Sequence, residues 1–252
     1  MPLLYDFKIP SLTRLYSNTY DENMLEWRRL GALDKAANIT HLIQRSARDK
    51  VINSVLEVGC GTGAVLQIIA ETGVGRRFVG IDIDGDRSAS AHPAHRQLDF
   101  TIHAYDGVCV PYPDEHFDFV YATHVLEHVV NERSFLHELR RVAKHLIYVE
   151  VPCELHARTS FRSLQATLNI GHINSYTPAS FVLTLATSGL KPIEMELFDH
   201  SFAVHVFRSS APKALIKIAV RRVFLALNRS MASRFFTYHC GALCEKGLLI
   251  DG

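Results

Sequence analysis

The stretch that decides the fold is VLEVGCGTG, residues 55–63, in which an apolar segment leads into three glycines at alternate positions. Glycines at a strand-to-helix turn remove side chains, so that a ligand can approach the backbone. A second apolar segment, FVGI at 78–81, ends in Asp82. An acid at the tip of the strand that follows a glycine turn is placed to bind the two hydroxyls of a ribose. Together these features predict a site for a nucleoside-containing cofactor.

The glycine spacing and the position of Glu57 narrow the choice of cofactor. A dinucleotide site has the pattern G-x-G-x-x-G, whereas residues 59–63 have G-x-G-x-G. A carboxylate at Glu57, two residues before the first glycine, would repel a pyrophosphate. It suits a ligand that carries an ammonium group and a positive sulfonium. The pattern therefore disfavours a nicotinamide-dependent oxidoreductase.

The segments EVGCGTG (57–63) and GIDI (80–83) resemble the cofactor site of class I S-adenosylmethionine-dependent methyltransferases, of the small-molecule type 11/23 group. The resemblance extends motif by motif from Glu57 to Gly189, and it implies S-adenosylmethionine as the cofactor. The residues that it assigns to the cofactor are Glu57, Gly59, Cys60, Gly61, Asp82, Ile83, Asp106, Gly107 and Thr123.

Two of these assignments concern the adenine ring. By the resemblance, Asp106 accepts a hydrogen bond from the adenine amino group and Ile83 lies on the ring face. The alternative for Asp106 is a plain turn, because Asp-Gly at 106–107 is common turn chemistry. The alternative for Ile83 is a place in the core.

From Val51 onward, strand-like and helix-like segments alternate, which predicts an α/β fold with a parallel sheet covered on both faces. The expected strands are 55–58, 77–81, 98–103, 117–122, 145–151, 191–198 and 235–244. Helices are expected to begin near Gly63, Arg87, Leu126 and Thr177, the third running to Val142. The resemblance implies a seven-stranded, doubly wound, Rossmann-like sheet, mostly parallel, with the last strand antiparallel beside the fifth.

We expect residues 1–50 to form a helical leader or cap and residues 51–252 to form the S-adenosylmethionine-binding domain. The leader shows a stripe of apolar residues at helical spacing, namely Leu25, Leu30, Leu33, Ala37 and Leu42. Within the domain, a basic helical insertion is expected at about 202–234. Residues 201–244 contain no Asp or Glu and seven Lys or Arg.

The apolar residues of this insertion, between Leu215 and Leu227, follow helical spacing. We expect that stripe to pack on the sheet and the basic face to lie in solvent. The alternatives are a lid over the acceptor pocket, a site for an anionic acceptor, or a weak contact with a membrane surface.

Three histidines are candidate catalytic residues: His124, His128 and His172. A histidine with a near-neutral pKa suits the removal of a proton from a hydroxyl acceptor, and Glu150 is placed to orient one of them. His124 to His128 also match the H-x-x-E-H pattern of one metallopeptidase class. Because this segment follows a strand directly, we expect it to hold no metal.

Residues 171–178, GHINSYTP, resemble a sub-group of small-molecule methyltransferases that often act on sugars or natural products. The expected function is methyl transfer to an oxygen or nitrogen of such an acceptor, and the alternative is a non-catalytic methyltransferase-like subunit. The net charge of +1 gives no field for a nucleic-acid partner. Five scattered cysteines and the absence of a signal peptide or long apolar run favour a cytoplasmic protein without a membrane span.

Overall fold

The computed structural model describes residues 22–84, 99–207 and 209–247, and side chains from residue 26 onward. Seven strands form one sheet: β1 Ser54–Val58, β2 Arg77–Asp82, β3 Asp99–Ala104, β4 Phe117–Thr123, β5 Ala143–Pro152, β6 Leu190–Phe198 and β7 His239–Lys246. Their order is β3-β2-β1-β4-β5-β7-β6. The first five strands are parallel, and β7 runs antiparallel between β5 and β6. The expected fold class is confirmed.

The described helices flank this sheet: α1 Glu22–Ser46, α2 Ala64–Glu71, α3 Glu132–Val142, α4 Phe161–Leu168, α5 Pro178–Ala186, α6 Phe202–Phe207, α7 Ala211–Leu227 and α8 Arg229–Phe235. One apolar cluster joins α1 and α2 to one face of the sheet, and a second joins α3 and α5 to the other. Strands β1 and β4 are buried almost throughout, because both of their faces are covered. None of the described helices is long and apolar enough to cross a membrane.

Helix α5 begins where the sequence predicts. Thr177 is its N-cap, and its hydroxyl accepts a hydrogen bond from Ser180 N. Pro178 follows as the first helical residue, where its missing N–H costs nothing. Gly189 ends the turn after the helix with φ 72°, in the left-handed region that glycine tolerates.

The helix expected from Leu126 to Val142 is wrong in its first part. Residues Leu126–His128 form a single 3₁₀ turn, and α3 begins only after Asn131, whose side chain caps it at Ser134 N. The reason lies in Asn174, whose side chain donates to the carbonyls of Leu126 and Val129. These carbonyls are therefore satisfied by a loop from elsewhere in the chain and not by a continuous helix.

The apolar stripe predicted for the leader is partly wrong. Leu42 is fully buried, as expected, but Leu33 is 44 % exposed and Ala37 is also exposed, whereas the side chain of Leu25 lies outside the described residues. The face of α1 that packs on the sheet contains Ala32, Ala36, Ile39, Leu42 and Ile43. The stripe is shifted because small alanines bring α1 close to α2 and the sheet.

A further boundary differs from the sequence-based expectation, and one expected helix cannot be compared. The seventh strand begins at His239 and not at Phe235, because Arg229 to Phe235 form α8, capped by the side chain of Asn228. The helix predicted near Arg87 lies outside the described residues.

The expected orientation of the basic insertion is partly wrong in α7, where Lys213, Lys217 and Arg222 are exposed as expected but the apolar stripe is not buried. The residues that face inward are Ala214, Ile218 and Arg221. Arg221 is 5 % exposed and donates to both oxygens of Asp199 at 2.8 Å. Because this buried ion pair and the small alanine occupy the inner face, the larger apolar residues point outward. They are Leu215, Ile216, Val220, Val223 and Leu227, between 43 % and 80 % exposed.

Candidate active site

The glycine turn after β1 leaves open space beside its backbone. Its three glycines have positive φ angles. A Cβ atom at Gly59 would lie 2.3 Å from Val125 Cγ2, and one at Gly63 would lie 2.5 Å from Ile102 Cδ1. A Cβ atom at Gly61 would meet no atom within 4 Å. Packing therefore requires glycine at the first and third positions, while Gly61 borders free space at the carboxyl edge of the sheet.

Asp82, at the end of β2, ties this turn to the sheet. Its Oδ2 accepts a hydrogen bond from Gly61 N at 2.7 Å, and its Oδ1 accepts one from Asp84 N at 3.1 Å. The next residue, Ile83, is 56 % exposed. A Cβ atom at Gly107 would lie 3.0 Å from Ile83 Cγ2, so the loop after β3 borders the same space. An acid and an exposed apolar side chain thus stand beside the open backbone, as a nucleoside site requires.

Asp106 lies in a turn, which is the alternative to an adenine contact that the sequence suggests for this residue. Its Oδ1 accepts hydrogen bonds from Val108 N and Cys109 N, both at 2.8 Å, and these bonds lower the pKa of the carboxyl. The side chain lies at the surface. The contact with adenine stays a prediction for this residue.

Glu57 is buried and joins β1 to the start of α2. Its Oε2 accepts hydrogen bonds from Leu66 N at 3.0 Å and from Tyr121 Oη at 3.1 Å. Burial raises the pKa of this carboxyl to about 8, although the charge of Lys35 opposes the shift. The contacts in the structure hold the glycine turn in place, and the predicted contact with an ammonium group stays a prediction.

Two further residues of the predicted cofactor site, Cys60 and Thr123, are small and buried. Cys60 is buried, and a Cβ atom at Gly80 would lie 2.8 Å from its Sγ, so the thiol occupies the room above β2 that the glycine leaves. Burial raises the pKa of the Cys60 thiol, which makes it a poor nucleophile. Thr123 is also buried, and it pairs with Glu150 at the end of β4.

Two histidines and a glutamate meet at the ends of β4, β5 and β7. His124 follows β4 with φ 57°, and its N–H donates to the backbone oxygen of Glu150 at 2.9 Å. Its Nε2 lies 3.2 Å from Glu150 Oε1 and 2.6 Å from His239 Nδ1. Glu150 Oε2 accepts hydrogen bonds from Tyr148 Oη at 2.5 Å and Asn38 Nδ2 at 2.9 Å. We call His124, Glu150 and His239 the two-histidine cluster.

Burial and neighbouring charges shift the pKa values of Glu150 and His124 in this cluster. Burial opposes the charge on Glu150, but the hydrogen bonds and charges of His124 and His239 outweigh it and hold the carboxyl pKa well below its usual range. Burial, followed by the charges of Lys35 and His239, lowers the pKa of His124 well below the ordinary value.

A second group surrounds His172. Its Nδ1 lies 3.0 Å from each carboxylate oxygen of Glu154, while the rings of His128 and His172 stand edge to face with their centroids 4.9 Å apart. His128 Nδ1 lies 2.9 Å from the backbone oxygen of Gly171, which makes this nitrogen the donor. Glu127 is fully buried between the two groups, and neither of its carboxylate oxygens has a hydrogen-bond partner among the residues that the structure describes.

The pKa values in this second group move in different directions. Burial lowers the pKa of His172, but the hydrogen bond to Glu154 and the charge of Glu127 outweigh it, so the pKa is raised. Burial and the charge of His172 lower the pKa of His128 to about 4. Burial raises the pKa of Glu127 to about 7. His172 with Glu154 is therefore the pair best suited to take up a proton.

The leader helix also contributes a charge to the site. Burial lowers the pKa of Lys35 in α1, while the carboxylates of Glu150, Glu127 and Glu57 act in the opposite direction. A single lysine thus interacts with three buried acids.

The structure brings all three predicted histidines to the carboxyl edge of the sheet, but sequence reasoning missed four of their neighbours: Lys35, Glu127, Glu154 and His239. Glu127 and Glu154 carry a signal, because they follow β4 and β5 at the edge where open parallel sheets bind ligands. Lys35 and His239 carry no such signal in the sequence. Lys35 lies in α1, which precedes the sheet, and His239 begins the antiparallel strand β7.

Comparison with known proteins identifies the family of this chain. A family model described as a methyltransferase domain matches residues 25–195. A probable S-adenosylmethionine-dependent methyltransferase of Mycolicibacterium smegmatis is 29 % identical over 150 residues, which are 59 % of this chain and 56 % of that protein. Ajmaline N-methyltransferase of Rauvolfia serpentina is 30 % identical over 101 residues, 38 % of this chain and 34 % of that protein. The chain thus spans about half the length of the first relative and about a third of the length of the second.

A solved structure shows the same fold. A geranyl diphosphate methyltransferase in complex with S-adenosylmethionine superimposes with a TM-score of 0.62 at 12 % identity, over 94 % of this chain and 95 % of that one.

Proposed function

The chain belongs to the class I S-adenosylmethionine-dependent methyltransferases, and from this premise we propose that it transfers a methyl group to an oxygen or nitrogen atom of a small-molecule acceptor. The observation that carries the proposal is the free space beside Gly61. The N–H of this glycine donates to the Asp82 carboxylate, and the exposed side chain of Ile83 stands nearby. At the same edge of the sheet stands the proton-accepting pair of His172 and Glu154.

The residues at the glycine turn fit the cofactor group by group. Asp82 would bind the ribose hydroxyls, Ile83 would cover the adenine ring, and Thr123 would border the methionine end. The free space at Gly61 lets the ligand approach backbone N–H groups without a clash. S-adenosylmethionine supplies a methyl group already activated by its sulfonium, so the protein mainly has to align the acceptor and exclude water.

We assign the proton-accepting role to His172. Glu154 binds its Nδ1, which fixes the ring and directs Nε2 away from the carboxylate. A raised pKa makes the imidazole a stronger base for an acceptor hydroxyl or ammonium group. His128 is a weaker candidate, because burial keeps its pKa at about 4. His124 is engaged by Glu150 and His239.

The relatives and the net charge support a small-molecule acceptor. Ajmaline N-methyltransferase is named for a small-molecule acceptor, and a net charge of +1 gives this chain no field for a nucleic acid. The loop at 171–178 favours a sugar or another natural-product intermediate. Four of the five cysteines are buried and all are free, which supports a reducing, cytoplasmic location.

Mass spectrometry of an acceptor panel incubated with S-adenosylmethionine tests the proposal. We expect at least one acceptor to gain the mass of a methyl group. His172→Gln should lower kcat while the Kd of S-adenosylmethionine stays unchanged, and His41→Gln, at an exposed histidine of α1, serves as the matched control. Binding of the cofactor with no product from any acceptor would favour the non-catalytic subunit instead.

A further inference from the structure

The two-histidine cluster has the donor set of a metal site. His124 Nε2 lies 2.6 Å from His239 Nδ1 and 3.2 Å from Glu150 Oε1, and the last two atoms are 3.7 Å apart. Nitrogen and oxygen ligands bind Zn²⁺ at about 2.0–2.2 Å, which places neighbouring ligands of a tetrahedral site roughly 3.3–3.6 Å apart. The two distances to Glu150 Oε1 are close to that range, and the two ring nitrogens would move apart by about 0.7 Å to take one small divalent ion between them.

Hydrogen bonds satisfy this arrangement only through a shared donor. Each neutral imidazole carries one N–H, and a carboxylate carries none. An N–H on His239 Nδ1 leaves Glu150 Oε1 facing a lone pair of His124, and an N–H on His124 Nε2 has to be divided between Glu150 Oε1 and His239 Nδ1. A single cation accepts lone pairs from all three atoms at once.

The atoms around the cluster orient its ligands as a metal site needs. Glu150 Oε2 is occupied by Tyr148 and Asn38, so that Oε1 is turned toward the two rings. His124 Nδ1 lies 3.5 Å from Glu127 Oε1. Metal-bound histidines commonly give their second N–H to a carboxylate.

The unpartnered carboxylate of Glu127 is an independent observation that points to the same conclusion. Its two oxygens are fully buried and without hydrogen bonds in the described structure. A cation on His124 Nε2 would place the N–H of that ring on Nδ1, which faces Glu127. His239 Nε2 is held in turn by His200, 3.0 Å away.

We propose that His124, Glu150 and His239 bind one divalent transition-metal ion. Two imidazoles and a carboxylate suit Zn²⁺, Co²⁺, Fe²⁺ or Mn²⁺ better than Mg²⁺ or Ca²⁺, which prefer oxygen ligands. Three protein ligands leave at least one coordination position open. If the chain acts as proposed above, that position faces the acceptor side of the sheet and takes an acceptor oxygen. The binding of the ion does not rest on the proposed function.

This proposal departs from the expectation that the H-x-x-E-H segment holds no metal. That expectation rests on the need for both histidines of the motif on one helix. The proposed site uses only His124 of the motif and takes its other ligands from β5 and β7. A rival set, Glu127, His128 and His172, also lies within 4.8 Å. The variants used in the titration below distinguish the two sets.

Titration of the chelator-treated protein with Co²⁺ tests the site. The visible absorption of the bound ion reports nitrogen and oxygen ligation, and elemental analysis after gel filtration gives the stoichiometry. We expect one ion per chain, bound at least about 100-fold more weakly by His239→Ala and Glu150→Gln. His172→Ala, which removes a ligand of the rival set, and the surface control His41→Ala should bind Co²⁺ as the wild type does.

Loss of binding in His172→Ala but not in His239→Ala would overturn the assignment, as would a wild-type protein that takes up no Co²⁺. Circular dichroism and the Kd of S-adenosylmethionine, measured on the same samples, show whether each variant is folded. Should Glu150→Gln not fold, His239→Ala still decides the question. Co²⁺ binding without cofactor binding would refute the proposed function and leave the metal site standing.

Discussion

Replacement of Asp82 by asparagine perturbs the cofactor site with little change in volume. The carboxylate accepts hydrogen bonds from Gly61 N at 2.7 Å and from Asp84 N at 3.1 Å, and it would bind the ribose through its charge. Asparagine has one acceptor oxygen and one NH₂ group, so one of the two backbone donors would face another donor. The variant also loses the charged partner of the ribose.

A hydrogen bond to a charged group contributes about 1.5–3 kcal/mol. At about 1.4 kcal/mol per tenfold, its loss should raise the Kd of S-adenosylmethionine by roughly 10- to 150-fold. Isothermal titration calorimetry measures this change, with Asp114→Asn as the control, since that carboxylate is 76 % exposed and bound to Arg141. A folded Asp82→Asn protein with an unchanged Kd would refute the cofactor assignment.

Three further predictions concern other parts of the molecule. Gly61→Val and Gly73→Val both place a side chain at a left-handed φ with open space around it, so each should lose about 1–2 kcal/mol of unfolding free energy in denaturant titrations. Only Gly61→Val should also weaken cofactor binding, and an equal change in the Kd of S-adenosylmethionine in both variants would contradict the site. The pH profile of kcat/KM should rise through a pKa above 6.5, because His172 acts in its neutral form and Glu154 outweighs burial to raise its pKa. Glu154→Gln should move that limb to lower pH, and an unmoved limb would rule out this base. Anionic vesicles should bind the chain in co-sedimentation, partly even at high salt, since α7 turns apolar residues outward beside lysines and arginines; Ile216→Glu should remove the salt-resistant part, and no binding at low salt would exclude a membrane contact.

Local signals were enough to predict the sheet and the glycine turn. The alternation of apolar segments marks the parallel strands, and the glycines with Asp82 mark the cofactor edge, because each depends on residues close together in the chain. The late start of the helix expected at 126–142 was not predictable in this way. It depends on Asn174, which takes up two of its carbonyls from a distant loop.

Long-range partners also explain what the sequence could not predict at the site. His239 reaches His124 only because β7 inserts beside β5. The face of α7 that packs inward depends on Arg221, a residue that helical spacing assigns to a solvent-exposed basic face. Its partner, Asp199, lies at the end of a different element, and no periodic pattern contains such a pair.

Calorimetric titration of the wild-type chain with S-adenosylmethionine, and in parallel with NAD, decides whether the cofactor assignment is right. We expect one S-adenosylmethionine bound per chain, with a Kd in about the micromolar to millimolar range of enzyme substrates. We expect no binding of NAD, because the glycine spacing at 59–63 does not suit a pyrophosphate. A chain that binds NAD, or that binds neither ligand, would contradict the assignment.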